Sequence, residues 1–514
     1  MRIDYNIYDD SILLDAYATD LNYSYLSSGS LTRLLPSDKS LTHRLILLSS
    51  MIKKSCTVLN PLISYDTIST YNALVSIGVR SLIQLVKEDG KIQNISDGLS
   101  WIDPDSLIKA VENKGEKEKI RIITDGCIYD LDRGVNKELV KIDCMGSGTT
   151  TRLFMGVISS CKGRRVLIDG NSSLRKRPME KVVGLLEKLG ATIYPSDFST
   201  DRNHLPLIVE GVNLSSQDEI HIDLGSAQLK SAVIFSLLNT PSNFKIALPS
   251  GSRRVTEKIV EDLFLKNNAG EIRSRYNSGI ETITINQTRK ISDFSSFTKS
   301  VPADPSSLSY IVALICILDP SFKMEFNSLL YERDRFSWVE VLNRMGFSLK
   351  LKEDPINKRL ILSISERSED KLKLYPIELT SDQVPSLIDE LPLIMGLSMF
   401  VDGVSNFYGV EALRGKESDR IEGVKRLADL FGVECRIKRS GSRVDVSVRG
   451  EGSNLDRLRV LDPDRIYDAS ADHRLVMTAC VCGICSKSQF KIKTISSVKE
   501  SFPSFFSVVS RIVN

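Results

Sequence analysis

Residues 226–238 read SAQLKSAVIFSLL. Behind a polar first turn the segment is small and aliphatic on every face, which predicts a helix buried all round. Five other stretches share that character: KSLTHRLILLSSM at 39–51, GTTTRLFMGVISSC at 148–161, PSSLSYIVALICIL at 305–318, IDELPLIMGLSMF at 388–400 and DHRLVMTACVCGI at 472–484. From residue 148 onward these stretches start roughly 80 residues apart, whereas the step from 39 to 148 is longer. Amphipathic segments fill the intervals. STYNALVSIGV (69–79), RPMEKVVGLLEKLGATIY (177–194), WVEVLNRMGFSLKL (338–351) and IEGVKRLADLFGVECRI (421–437) each run to a Gly near the helix end, and most continue into an alternating strand. Six copies at so long a period predict six β/α units, each with two helices and several strands, packed three plus three in an α/β architecture.

The longer first step places an insertion near residues 87–136. VKEDGKIQNISDG (86–98) and VENKGEKEKIR (111–121) are charged and contain Gly and Asn, which predicts a surface excursion. Residues 1–22 read as a second extra segment.

The whole chain has 514 residues, with 68 Lys plus Arg against 65 Asp plus Glu, a formal charge of +3. So small a balance excludes a global basic field and argues against nucleic acid as a partner. It leaves room for anionic small molecules, because a few converging cations do not show in a total. The opening MRIDYNIYDDSILLDAY lacks the basic and continuously apolar parts of a signal peptide, and no apolar run is long enough to span a bilayer. Nine scattered Cys do not suggest a disulfide framework. A soluble cytoplasmic protein with no membrane partner is expected.

The polar residues leading the buried helices are the candidate functional groups. Helix N-termini present free N–H groups and a positive dipole end, so they hold anions. In PSDKSLTHR (36–44), Lys39 and Ser40 open such a helix and Arg44 follows; a capped, solvated first turn is the competing reading. GSGTTTR (146–152) lets the backbone at Gly148 approach a ligand, but it lacks the Lys of a nucleotide P-loop and equally suits an ordinary turn. NSSLRKRPMEK (171–181) gathers Arg175, Lys176 and Arg177 before Pro178, which suits the first position of a helix (N1); the run reads as a solvated face, and the lack of aromatic interleaving or a long basic stripe argues against a nucleic-acid patch. Ser226 and Gln228 are caps or hydroxyl partners. PSLIDELP (385–392) sets Asp389 and Glu390 in an apolar stretch, surroundings that suit a carboxyl group to acid–base work; a capping acid is the alternative.

RGKESDRIEGV (414–424) spaces Lys416, Glu417 and Arg420 on one helical face, as a salt-bridged surface helix also would. ADHRLVM (471–477) puts His473 and Arg474 at the mouth of an apolar helix, where a charge needs a partner or a ligand. Cys480, Cys482 and Cys485 sit within one buried helix and read as core. His43, His204, His221 and His473 form no metal-ligand spacing, and no Ser-His-Asp signature is present. No metal site is expected from these patterns.

Read in order, SDKSLTHR, GSGTT, LRKRPM, SAQLKSA, LIDELP, LRGKESDRI, DHRLVM and SFPSFF resemble the enolpyruvyl transferase family, in the branch that acts on shikimate 3-phosphate. The resemblance runs from about residue 28 to near the C-terminus. It implies a two-domain inverse β/α prism of six units, three per domain. One domain would join residues 1–36 to 301–514, the other would span 37–300, and the active site would lie in the cleft between them. It implies transfer of the enolpyruvyl group of phosphoenolpyruvate to the 5-hydroxyl of shikimate 3-phosphate by addition and elimination, on the shikimate pathway to chorismate and the aromatic amino acids. A monomer without metal or organic cofactor is implied as well.

Carried over by matching motif, Lys39, Ser40, Arg44, Ser226, Ala227, Gln228 and Ser252 would hold shikimate 3-phosphate, with Asp389 and Lys416. Lys39, Gly148, Arg177, Gln228, Arg420, Arg474 and Lys499 would hold phosphoenolpyruvate. Asp389 would be the base for the 5-hydroxyl. Glu417 and Lys416, with Lys39, would manage proton traffic and the leaving phosphate. Met145 and Gly146, Ala412 and Glu500 depart from the pattern: many members have Gly-Asn, Asn and Lys there. The sister enzyme using UDP-N-acetylglucosamine carries a loop Cys, and no Cys lies between Cys161 and Cys316. The remaining alternative is a weakly active relative serving as a binding module.

Overall fold

The structure is a computed structural model of the chain. It describes all residues except 1, 7–9, 17–20, 28–30, 116–117, 131–138, 197–200, 215–218, 224, 330–331, 357–358, 366–372, 453–457 and 514. Two compact units divide it: residues 1–36 with 302–514, and residues 37–301.

The six buried helices are α1 (Lys39–Met51), α2 (Gly148–Ser159), α3 (Ala227–Leu237), α4 (Pro305–Leu318), α5 (Leu391–Leu397) and α6 (His473–Cys485). Five of them start at a Ser or Asp whose side chain accepts from a backbone N–H of the first turn: Asp38, Ser147, Ser226, Asp304 and Asp472. Such caps satisfy donors that the helix cannot. The exception, α5, has Pro392 in its first turn and no side-chain cap. Residues 37–301 hold α1 to α3, and α2 packs on both α1 and α3. The other unit holds α4 to α6, and α6 packs on both α4 and α5.

Each unit also carries three sheets, so six β/α units, three and three, are present as expected. Their topology repeats. Strand Val140–Asp143 leads through α2 to the parallel strand Arg165–Asp169, after which an antiparallel pair, Thr192–Pro195 and Leu207–Glu210, completes the sheet. Glu219–His221, α3 and Asn243–Pro249 repeat the pattern with Gly270–Asn277 and Ile280–Gln287.

Two expectations are corrected. The stretch 87–136 is not merely a surface excursion. Lys119–Thr124 is an interior strand, antiparallel to both Cys56–Leu59 and Ser81–Val86, with Ile120 and Ile122 buried. Its basic flanks hid an alternation that one buried sheet face imposes. Residues 1–22 are not an appendage either. Ser11–Asp15 pairs with Gln489–Lys493, and Ile12, Leu14 and Ala16 are buried. Ser11–Asp15 and its antiparallel neighbour Arg2–Asn6, both from the start of the chain, occupy the place that a later strand pair fills in the other units.

Deleting residues 1–16 is therefore expected to cost about 3–6 kcal/mol, from loss of two buried aliphatic side chains alone. Urea unfolding of the truncated chain measures it. A loss below 1 kcal/mol would show that the strand contributes nothing to its unit.

Candidate active site

The helix N-termini of residues 37–301 gather the first group of candidates. Lys39, in the first turn of α1, places Nζ 2.9 Å from Asp66 Oδ2. Arg44, one turn on, is buried. Its Nη1 donates to the Ser40 carbonyl, its Nε to Thr256 Oγ1 and its Nη2 to Ser231 Oγ, at 2.9, 2.6 and 2.9 Å. Between them His43 is fully enclosed, with Nδ1 2.7 Å from Thr70 Oγ1. Burial, reinforced by the charges of Lys39 and Arg44, holds its pKa well below the usual histidine value, so it stays neutral.

Gly148 begins α2 beside two guanidinium groups. A Cβ built on it would meet Arg152 Nη1 at 2.7 Å and Arg177 Cζ at 3.1 Å. Arg152 donates to Gln228 Oε1 at 2.9 Å, and Gln228 Nε2 donates to Thr149 Oγ1 at 2.9 Å, which ties the starts of α2 and α3 together. Ser226 caps α3. Ser252 accepts from Lys230 Nζ at 2.6 Å.

The basic run splits. Arg175 binds Asp169 through two hydrogen bonds of 2.8 and 2.6 Å, while Arg177 is buried. Pro178 is not at helix position N1, because the helix behind it starts at Glu180. Sequence reading did not nominate Arg152, Lys230 or the buried Arg253 beside Ser252. Their signal was present, since each is a cation inside a quoted motif or next to a nominated residue.

In the other unit one guanidinium organises the second group. Arg420 is 1% exposed. Its Nε donates to Asp472 Oδ2 at 2.9 Å, its Nη2 to Glu417 Oε2 at 2.6 Å, and its Nη1 lies 3.5 Å from Asp389 Oδ1. Burial opposes the charge, but Asp472, Glu417 and Asp389 outweigh it and raise the pKa further. Arg474 is 3% exposed and lies over the Tyr310 ring, 5.9 Å from its centroid. Burial again opposes its charge, and Asp389 leads the groups that hold its pKa up. Its Nε and Nη1 meet no hydrogen-bond partner among the described residues.

Two details differ from expectation. Asp389 is not enclosed by apolar groups: its side chain is 25% exposed and faces Arg420. The reason is local, since α5 starts only at Leu391 and leaves Asp389 in the preceding turn. Lys416 and Glu417 do not share a helical face with Arg420, because that helix, Arg420–Leu430, starts after them. Glu417 reaches the guanidinium from the preceding loop instead.

Lys499 and Glu500 lie in the short 3-10 helix Ile495–Glu500. Glu500 Oε2 is 3.1 Å from His473 Nδ1, and Glu417, His473 and Glu500 bring donor atoms within 4.8 Å of one another. No sequence spacing showed this grouping. Arg420 already supplies a cation to Glu417, which favours an ion-paired cluster over a metal centre. All nine Cys are free and buried, as a core role requires. Among the described residues no helix is long and apolar enough to cross a membrane.

Each unit thus has its own set: residues 37–301 bring helix N-termini together with Lys39, Arg44 and Arg177, and the other unit sets Arg420 and Arg474 among carboxylates; both sets suit anions, and the second also suits proton transfer. Comparison with known proteins agrees. A family model described as EPSP synthase (3-phosphoshikimate 1-carboxyvinyltransferase) matches residues 28–107 and 85–509. The 3-phosphoshikimate 1-carboxyvinyltransferase of Caldicellulosiruptor saccharolyticus is 28% identical over 476 residues, covering 92% of this chain and 95% of that one. That of a Sulfurihydrogenibium species is 29% identical over 480 residues, covering 93% and 96%. The solved EPSP synthase of Acinetobacter baumannii shares the fold, with a TM-score of 0.66 at 21% identity over 93% of this chain and 95% of that one. This chain belongs to the EPSP synthase family, the 3-phosphoshikimate 1-carboxyvinyltransferases.

Proposed function

We propose that this chain's enolpyruvyl transfer, from phosphoenolpyruvate to the 5-hydroxyl of shikimate 3-phosphate, is divided between the two groups of residues. Lys39, Ser40, Arg44, Ser226, the backbone at Ala227, Gln228 and Ser252 bind shikimate 3-phosphate, with Ser252 on its phosphate and with help from Asp389 and Lys416. Lys39, Gln228, Arg177, Arg420, Arg474, Lys499 and the backbone at Gly148 bind phosphoenolpyruvate. Asp389 takes the 5-hydroxyl proton as the oxygen attacks C2 of phosphoenolpyruvate. Glu417, which takes up a proton as the anionic phosphoenolpyruvate binds, gives that proton to C3, so the methylene becomes a methyl group in a tetrahedral intermediate. In the elimination Glu417 takes a proton back from that methyl group and the C2–O bond to phosphate breaks. The phosphate leaves with the proton held by Asp389, its charge met by Lys416 and Lys39. Orientation and fixed positive charge supply most of the acceleration. The working unit is a cytoplasmic monomer.

The observation that carries this reading is Arg474. Its buried Nε and Nη1 meet no acceptor among the described residues, and buried donors left so are costly unless a ligand takes them. A carboxylate or phosphate fits a guanidinium fork at two oxygens. The test is phosphate release from shikimate 3-phosphate and phosphoenolpyruvate by the purified protein. No release between pH 6 and 9 would sink the reading.

Gly148 provides a narrower check. In Gly148→Ala the new methyl group would press on Arg152 and Arg177. The KM for phosphoenolpyruvate is expected to rise about tenfold, the worth of one charge-assisted hydrogen bond. An unchanged KM would remove Arg177 from that site.

A further inference from the structure

Lys230 lies in α3 with its side chain 0% exposed. An ammonium group placed there needs compensating charge. Glu257 Oε1 is 2.5 Å from Nζ and Glu281 Oε2 is 3.8 Å away, both on buried residues. Arg254 Nε stands 3.6 Å from Glu281 Oε1, so two cations face two carboxylates. A purely structural charge cluster could end there. Lys230 instead spends a third contact on Ser252 Oγ, at 2.6 Å.

An ammonium group donates and cannot accept, so the Ser252 oxygen must be the acceptor in that bond. A hydroxyl that accepts from a cation is polarised, and its own proton is left to point elsewhere. Lys230 thereby makes Ser252 a committed donor, the role an anionic oxygen requires. The neighbouring residue follows the same plan. Ser231 and Thr256 hold the Arg44 guanidinium, while Lys230, itself paired with Glu257, holds Ser252. Consecutive residues of α3 thus meet consecutive residues of the helix Val255–Asn267, and each pair backs one group of the shikimate 3-phosphate site.

We propose that Lys230 is a positioning residue for the phosphate of shikimate 3-phosphate, acting through the Ser252 hydroxyl. The inference rests on the assignment of Ser252 to that phosphate. Removing Lys230 alone strands Glu257, so the informative variant is Lys230→Met with Glu257→Gln, which removes the ion pair while keeping its volume.

This double variant is expected to raise the KM for shikimate 3-phosphate about tenfold, with kcat and the KM for phosphoenolpyruvate within twofold of the parent. Ser252→Ala should raise the same KM, and adding the double change to it should raise it no further, because both act through one hydroxyl. A parental KM in the double variant, with Ser252→Ala defective, would overturn the role of Lys230 alone. Full additivity of the two effects would overturn it too. A parental KM in Ser252→Ala would remove Ser252 from the phosphate and the proposal with it.

Discussion

Arg420→Met is expected to destabilise the unit formed by residues 1–36 and 302–514 by about 3–5 kcal/mol, the cost of leaving buried carboxylates without their cation. The side chain is almost wholly buried and meets Asp472, Glu417 and Asp389 at 2.9, 2.6 and 3.5 Å. Met fills much of the volume but returns none of the charge. Asp472 suffers most, since it is fully buried and also caps α6. Urea denaturation at neutral pH measures the effect, and activity should be lost with it. Arg420→Lys should recover part of the stability, because one ammonium group cannot reach all the partners of a guanidinium fork. A fully stable Arg420→Met protein would show that these carboxylates are hydrated or neutralised some other way.

Asp389→Asn should have the opposite profile, sparing the fold and removing turnover. Asn keeps the size of Asp389, and Arg420 keeps Asp472 and Glu417 as partners. An amide can still hydrogen-bond a substrate hydroxyl, so KM values should change little. It cannot take the hydroxyl proton, and loss of a general base costs about 10²–10⁴-fold in kcat. Steady-state kinetics at saturating substrate, beside an unfolding curve, separates the two profiles. Normal turnover would remove Asp389 from its assigned role.

The two variants touch groups 3.5 Å apart and are expected to differ because of burial. Arg420 is enclosed and its charge must be answered by the protein. Asp389 is partly exposed, so water can share the cost of altering it. The sequence put both residues in polar motifs but could not rank them in this way. It also set Asp389 among apolar neighbours, whereas the turn before α5 presents it to a guanidinium group.

The candidate site was legible where a motif lies at the start of a buried helix, as at Lys39, Gly148 and Ser226. There the cap, the free N–H groups and the candidate side chains are close in sequence, and local spacing reports them. It was not legible where distant segments converge. Glu417, His473 and Glu500 come from three segments, and Lys230 reaches Ser252 across 22 residues. Their grouping depends on how helices and sheets pack.

By itself the sequence determined the six buried helices, the polar first turns of all but α5, the repeating β/α units and the family, because periodicity and ordered motifs are properties of contiguous residues. Only the tertiary structure decided that residues 11–15 and 119–124 complete sheets, since strand partners are found through hydrogen bonds between distant segments. It alone decided which carboxylates surround Arg420 and which hydroxyl Lys230 directs. Those choices come from burial, which obliges each charge to find a partner wherever the fold brings one.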